Sequence, residues 1–251
     1  MRFLAAVPAV LLIGLAHADD SPIATDRPSV TDSSVVVPIG SLQFEDGFTD
    51  TVSQGQQTLD GPETLLRFGV AAKTELRLNV PDYFGQIGSG PEIPSGFGDL
   101  GIGVKQQFGP AAGFDVSVVL SLSLPTGARG ISSGGYDPSV QLPWSRALST
   151  KWTAAGMLSV YWPTQQGRRN VTGESTFLMD RQLTKIWDAF VEYAGDFPEA
   201  GGPRHLLHFG TSFRPTPHQQ LDLHVGVGLS SAAVDHFIGV GYSFRLQVFR
   251  R

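Results

Sequence analysis

Charged side chains recur at alternate positions along this chain, so that they share one face wherever the chain is extended. Glu75 and Arg77 share a face in one segment, and Asp222 and His224 share a face in another. In a membrane β-barrel, ionised groups persist on the strand face that lines the water-filled interior. On the face that meets lipid, each would cost several kcal/mol. The parity of the predicted strands gives this inward-facing set: Arg67, Glu75, Arg77, Asp99, Lys105, Asp115, Asp188, Glu192, Asp222, His224 and Arg245.

Two roles are open for this inward set. Both signs of charge occur in it, so its members could line a path and select the solute that passes. They could equally form a network of ion pairs that fills and stiffens a narrow barrel. The two roles are compatible, and the sequence alone favours the structural role for any single residue.

Residue patterns for catalysis or metal binding are weak. The imidazoles of His205 and His208 would lie on opposite faces of a strand, because an odd offset reverses the side, and we interpret them as a pair at a loop edge. His224 and Ser243 both point inward, but no glycine-framed serine, acidic pair or zinc spacing accompanies them. We therefore predict no catalytic residues, no metal, no cofactor and no enzymatic activity.

The segments that position these residues alternate apolar and polar side chains with a period of two. We predict an all-β fold, a transmembrane antiparallel up-and-down barrel of about twelve strands with both termini in the periplasm. Twelve strands leave roughly 19 residues for each strand with its connection, which suits membrane strands of 9–11 residues. The predicted strands are 41–49, 62–71, 74–83, 98–108, 113–125, 138–147, 151–162, 173–183, 185–194, 204–214, 218–228 and 236–248.

The connections alternate between short and long, which is typical of outer-membrane barrels and not of a soluble sandwich. Short turns are predicted near 71–74, 109–113, 148–150, 183–185 and 215–218; longer loops lie near 85–97, 126–139, 163–172 and 195–203. Trp152 and Trp162 share one face of a strand whose length, at a tilt near 40°, corresponds to about 25 Å of height. That is the separation of two aromatic girdles. The predicted girdle residues are Trp144, Trp152, Trp162, Trp187, Tyr193 and Tyr242.

The first residues have the pattern of a secretory signal peptide. Arg2 precedes the apolar stretch 3–15, and Ala16-His17-Ala18 fits the small-x-small cleavage rule. We therefore predict a signal peptide at 1–18, a periplasmic N-terminal arm at 19–40 and an outer-membrane barrel at 41–251. The arm, which contains Pro28 and Pro38, either lies in the barrel mouth and partly occludes the lumen or is a disordered tail.

Composition excludes several classes of protein. A formal net charge of −5 offers no basic footprint for nucleic acid, and a chain with 0 cysteines can form neither disulfides nor thiolate metal sites. Export and the barrel pattern predict a bacterial outer membrane location. The expected partners are outer-membrane lipids, a small-molecule solute and the barrel-assembly machinery, although the end of the chain, Phe249-Arg250-Arg251, departs from the aromatic last residue usual in such barrels.

The sequence also resembles a known family, the outer-membrane transporter proteins of the putative meta-pathway of phenol degradation. The resemblance covers nearly all of the chain after the signal, in the same order. It is carried by Thr25-Asp26-Arg27-Pro28, Val37-Pro38-x-Gly40-x-Leu42-Gln43-x-Glu45-x-Gly47, Leu66-Arg67-Phe68-Gly69, Thr74-Glu75-Leu76-Arg77-Leu78, Gly98-Asp99-Leu100-Gly101-x-Gly103-x-Lys105, Leu124-Pro125-Thr126-Gly127, Phe190-Val191-Glu192-Tyr193, Gln220-Leu221-Asp222 and Phe237-Ile238-Gly239-Val240-Gly241-Tyr242-Ser243. It implies passage of small, often aromatic or hydrophobic, compounds across the outer membrane.

The expected function is passage of a small solute through the lumen. A ring of twelve strands is wider than the rings of eight that side chains fill completely. Inward glycines are expected to leave room for the solute: Gly69, Gly101, Gly103, Gly226, Gly228, Gly239 and Gly241. The alternatives are an outer-membrane lipid hydrolase that uses His224, and a structural or adhesive barrel without transport.

Overall fold

The computed structural model describes residues 21–87 and 93–249, which form seventeen strands. The predicted signal peptide, residues 19–20 of the predicted arm, and Arg250 and Arg251 lie outside the described residues. The strands are β1 (Ser41–Ser53), β2 (Gln56–Gly61), β3 (Leu65–Ala71), β4 (Thr74–Asn79), β5 (Tyr83–Ile87), β6 (Gly96–Phe97), β7 (Leu100–Gln107), β8 (Asp115–Leu124), β9 (Asp137–Ala147), β10 (Trp152–Tyr161), β11 (Thr164–Gln165), β12 (Arg168–Arg169), β13 (Thr172–Gln182), β14 (Trp187–Pro198), β15 (Arg204–Thr216), β16 (Gln219–Gly228) and β17 (His236–Gln247).

Twelve of these strands form one closed antiparallel ring. Each pairs with the next ring strand along the chain, and β17 pairs with β1 from Ser41 opposite Gln247 to Val52 opposite His236, which closes the sheet. The ring consists of β1, β3, β4, β7, β8, β9, β10, β13, β14, β15, β16 and β17. The predicted all-β barrel of twelve strands is confirmed. No helix in the described part of the chain is long and apolar enough to cross a membrane.

The wall between β1 and β7 has two tiers that the sequence did not predict. The start of β1 pairs with β3, whereas its end, from Thr49 to Ser53, pairs with β2. Strand β5 then pairs with β2, and β6 with β5, so the loop predicted at 85–97 contributes strands to the wall. Pro62 separates the tiers, since a proline has no N–H with which to continue the ladder. The strand predicted at 62–71 accordingly begins only at Leu65, and the one predicted at 74–83 ends at Asn79.

The burial pattern is the reverse of that in a soluble protein. Lys105 is 0% exposed inside the ring, and Leu158 is 56% exposed outside it. Because apolar side chains cover the outside of the strands and polar ones fill the inside, the ring has the surface of a membrane barrel and not of a β-sandwich. The exposed outward residues include Leu76, Ile102, Leu120, Leu142, Leu158, Phe177, Val191, Phe209, Leu223 and Ile238.

The short turns that join consecutive ring strands all lie at one end of the ring, which we call the short-turn end; the other is the long-loop end. In the structure the short turns are 72–73, 108–114, 148–151, 183–186 and 217–218. The connections at the other end include 125–136, 162–171, 199–203 and 229–235. Strand β1 begins at the short-turn end, next to the end of β17.

Candidate functional site

Residues 21–40, which we call the arm, lie inside the barrel. Ile23 donates its N–H to the carbonyl of Pro217 (2.7 Å), in a turn at the short-turn end. Further along, the arm contacts the opposite walls of the lumen through Glu192 and Glu75. Gly40 then donates to the carbonyl of Gly69 (2.7 Å), again near the short-turn end. The arm therefore enters and leaves the lumen by the same mouth.

Asp26 of the arm is the anion around which three cations of the wall converge. Its carboxylate lies 2.6 Å from Nη1 of Arg77, 3.1 Å from Nζ of Lys105 and 3.3 Å from Nη1 of Arg67. Glu45 and Glu75 complete the group, since each pairs with Arg67 and each accepts an arm N–H. Three carboxylates thus balance three cations. We call these six residues the ion cluster.

Two aspartates of the arm have opposite pKa shifts because the ion cluster surrounds them differently. Burial alone would raise the pKa of Asp26, but Arg67, Arg77 and Lys105 outweigh it and hold that pKa well below its usual value. Burial and the neighbouring charge of Asp26 raise the pKa of Asp32, and its pairing with Arg77, at 3.2 Å, only partly offsets them. Asp26 is therefore the stronger electrostatic anchor of the arm.

Glu192 holds the middle of the arm from the opposite wall. Its carboxylate accepts the N–H groups of Val30 (2.9 Å) and Thr31 (2.7 Å) and the hydroxyl of Thr31 (2.5 Å). It also lies 2.8 Å from Nδ1 of His208, whose Nε2 is 3.0 Å from Nδ1 of His224. Hydrogen bonds to a charged acceptor contribute about 1.5–3 kcal/mol each. Glu192 is thus the second anchor of the arm.

Arg27 lies between two glycines of the wall. A Cβ on Gly47 would be 2.1 Å from Cζ of Arg27, and one on Gly241 would be 2.5 Å from its Nε. The guanidinium pairs with Glu63 and lies 3.5 Å from the carboxylate of Asp222. Inward glycines therefore make room for the arm.

Cavities lie on both sides of the arm. One of about 450 Å³ opens at the short-turn end and is lined by arm residues together with wall residues such as Lys151, Asp180 and Arg214. At the long-loop end a cavity of about 430 Å³ lies beside Thr51 and Asp60, and one of about 260 Å³ beside Tyr161. The arm and the ion cluster occupy the lumen between the two ends.

The structure places most of the predicted inward set inside the ring. Asp188 pairs with Arg214, and Arg245 donates to the carbonyl of Ser21 (2.6 Å). The residues buried there are Arg67, Glu75, Arg77, Lys105, Asp188, Glu192, Asp222, His224 and Arg245. Six of them (Arg67, Glu75, Arg77, Lys105, Glu192 and Arg245) contact the arm's backbone or Asp26. Their contacts are those of a packed interior.

Asp99 lies at the long-loop end, where it lines the smaller cavity together with inward residues such as Gly101 and Ser121. It precedes β7 and accepts the N–H groups of Gly127 (2.8 Å) and Ser133 (3.1 Å). Burial would raise its pKa, but these bonds and one from Ser132 lower it. Asp99 therefore fixes a loop at the long-loop end, beside the smaller cavity there.

The expectation that inward glycines leave an open path needs correction. A Cβ on Gly69 would lie 2.2 Å from the carbonyl oxygen of Pro38, and one on Gly239 would lie 2.1 Å from Nε2 of His224. Phe237 covers Gly226 in the same way, at 2.2 Å. The space that these glycines leave is filled by the arm and by neighbouring side chains.

His208, Glu45 and Thr31 are site residues that the sequence reasoning missed. The sequence predicts His208 in a loop-edge pair, but the residue is 1% exposed and lies in the wall of the lumen. His205 does lie on the other face, bonded to the hydroxyl of Tyr193 (2.7 Å). The register places His208 directly opposite Glu192, a pairing that strand parity could have indicated.

None of the predicted girdle residues belongs to the inward-facing set, and they lie at two heights along the barrel. Trp144, Trp152, Trp187 and Tyr242 lie toward the short-turn end, and Trp162 and Tyr193 toward the long-loop end. Trp152, Trp187, Tyr193 and Tyr242 are exposed. Trp144 packs across Gly156, and its ring is 6.3 Å from that of Phe177.

The arm that fills the lumen and the twelve strands around it both lie within a match to one protein family. A family model described as the putative MetA-pathway of phenol degradation matches residues 25–246. The chain belongs to this family. A comparison with curated proteins finds no significant match.

Solved structures with the same fold are outer-membrane channels and porins. An outer membrane channel from Pseudomonas putida F1 has a TM-score of 0.66 at 11% identity, over 85% of this chain and 98% of that one. The NanC porin has a TM-score of 0.59 at 10% identity, over 82% and 100%. The KdgM porin has a TM-score of 0.55 at 12% identity, over 81% and 98%. At these identities the likeness is one of fold.

Proposed function

We propose that this protein is a bacterial outer-membrane channel for small solutes whose lumen is closed by its own arm. One observation carries the proposal: cavities at both ends of the ring are separated by the arm, which enters and leaves through one mouth. A hairpin held in this way can withdraw without crossing the wall. The membrane location is supported by the apolar outer surface and by the fold shared with outer-membrane channels.

The solute class follows from the polarity of the path. Cations and carboxylates both face the lumen, and all three cavities have apolar as well as polar linings. Such a path suits small neutral or amphipathic solutes better than a strongly charged ion, which would favour a ring of one sign. Small aromatic compounds fit this class and agree with the family's description.

Solute uptake by liposomes tests this proposal. The wild type and a variant lacking residues 21–34 would be reconstituted and offered aromatic, sugar and ionic solutes of similar size. We expect slow uptake by the wild type, and uptake by the variant that increases at least about tenfold and favours aromatic solutes. Correct folding of the variant would be checked by its shifted migration on gels before boiling. A folded variant that remains sealed to every solute would exclude the channel.

The hydrolase alternative is not favoured by the geometry. Ser243 is 0% exposed and His224 is 7% exposed, so lipid at the outer surface cannot reach either side chain. His224 instead bonds His208 in the network of the second anchor. Lipid hydrolysis that is lost in His224→Ala would nevertheless restore this alternative.

A further inference from the structure

The rim at the short-turn end carries a belt of exposed cations. Five basic side chains lie on its turns or on the outward face of the adjoining strand ends, and each is exposed: Lys73, Arg146, Lys151, Arg181 and Lys185. No carboxylate lies on these turns or faces outward beside them within the described residues; Asp180 and Asp188 face the lumen. This rim therefore presents a single sign of charge.

The rim at the long-loop end carries charges of both signs. It carries carboxylates on its loops and strand ends, among them Asp82, Asp137, Asp196 and Glu199, together with a smaller number of arginines. Two of those arginines are already paired: Arg169 with Asp137 (3.0 Å) and Arg204 with Asp196 (3.1 Å). Among the described residues the short-turn belt has no such neutralising partners, so it is the rim available to an external anion.

Two of the belt's arginines are held against aromatic rings. Cζ of Arg146 lies 4.8 Å from the ring centre of Phe114, and Cζ of Arg181 lies 5.2 Å from that of Trp152. Stacking fixes a guanidinium without using its N–H groups. No acceptor from the described residues is bonded to either guanidinium, so their donors remain available.

The two arginines are close enough to act on one ligand. Arg146 lies opposite Ala154 on β10, and Arg181 lies opposite Trp152 on the other side of the same strand. Standard strand spacing and rise put their Cα atoms about 12 Å apart, within reach of a common phosphate. Ala154 between them is small, and Lys151 stands in the adjoining turn.

Exposed apolar residues lie among the cations of this rim. Leu148 precedes Lys151 in one turn, and Leu183 and Ile186 flank Lys185 in another; all three apolar side chains are between 44% and 55% exposed. Apolar and cationic residues interleaved in this way match the boundary between acyl chains and headgroups. Anionic phospholipid supplies the complementary charge at that depth.

We propose that Arg146 and Arg181, with Trp152 and Phe114, form a binding site for the phosphate of an anionic phospholipid on the outer wall at the short-turn end. The guanidinium groups donate to the phosphate oxygens, and the glycerol and acyl chains lie along the apolar strand faces beside them. This site rests on the proposed membrane location and does not depend on transport through the lumen. It also assigns the short-turn end to the leaflet that contains phospholipid.

Quenching of tryptophan fluorescence by brominated phospholipids tests the site. The protein would be reconstituted in mixtures of phosphatidylcholine and phosphatidylglycerol, with one lipid brominated at a time, and the relative association constant measured. One cation near a membrane surface contributes about 1 kcal/mol, so we expect phosphatidylglycerol to be preferred about fivefold or more. The double variant Arg146→Gln/Arg181→Gln should reduce that preference to below about twofold.

A matched control removes the same charge from the other rim. Arg129→Gln/Arg168→Gln changes two exposed arginines of the long-loop end and should leave the preference unchanged. Equal loss in both double variants, or no preference in the wild type, would overturn the lipid site. Absence of quenching by brominated phosphatidylcholine as well would instead mean that the protein does not enter bilayers, which is a failure of the proposed location.

Discussion

Asp26 and Asp32 illustrate at the residue scale how position relative to the ion cluster determines the role of a carboxylate. Both face Arg77, but only Asp26 also contacts Arg67 and Lys105. The lowered pKa of Asp26 means that its charge stabilises the docked arm at every pH above its ordinary titration range, and that this contribution is lost only as pH falls through the depressed value. The raised pKa of Asp32 has the opposite sign: its charge opposes docking, and protonation relieves this as pH falls.

Asn substitutions at Asp26 and Asp32 provide a matched test of whether the docked arm closes the lumen. Asp26→Asn removes the anion that balances buried cations, a change that costs about 3–5 kcal/mol in comparable buried pairs, so the arm should undock and conductance in planar bilayers should rise several-fold. Asp32→Asn removes a charge that burial disfavours and should leave conductance unchanged or lower. Equal conductance in the two variants would contradict the assignment of Asp26 as the anchor.

At the scale of elements, the strands were predictable and the arm was not. A period of two placed all twelve ring strands, because one face of each must meet lipid and the other must not. Residues 50–53 of β1 and the short strands β2, β5, β6, β11 and β12 were missed, since segments of this length show too little alternation. The arm has no periodic pattern, and its path depends on contacts with Glu75 and Glu192, which lie far away along the sequence.

The arm packs so closely against β3 that one added methyl group would disrupt the contact. A Cβ on Gly69 would meet the backbone of Pro38 at 2.2 Å, and backbone cannot yield as a flexible side chain can. Gly69→Ala should therefore displace the end of the arm and destabilise the folded protein by about 1–3 kcal/mol. Gly173→Ala, on β13, is the control because nothing lies within 4 Å of its Cβ position. Heat-induced unfolding should separate the two, and equal midpoints would count against the close packing.

For the whole molecule, the topology of the arm decides how the channel could open. The arm is anchored on one side by the ion cluster and on the other by Glu192, and both of its ends emerge at the short-turn end. Opening therefore requires only that polar contacts break, while the closed ring of strands is unchanged. A barrel opened by strand separation would instead have to break the β1–β17 ladder, which extends over twelve residue pairs.

A reversible tether distinguishes these two ways of opening. The hydroxyls of Ser34 on the arm and Ser145 on β9 lie 2.7 Å apart, and the chain has 0 cysteines, so the double variant Ser34→Cys/Ser145→Cys can form one new disulfide without competing thiols. Under oxidation it should hold the arm in place and reduce solute uptake in liposomes to the level of protein-free vesicles; reduction should restore wild-type uptake. Each single cysteine variant should be insensitive to the oxidant. Uptake that persists while the disulfide is intact would show that solute passes without movement of the arm, and would point to the wall as the moving part.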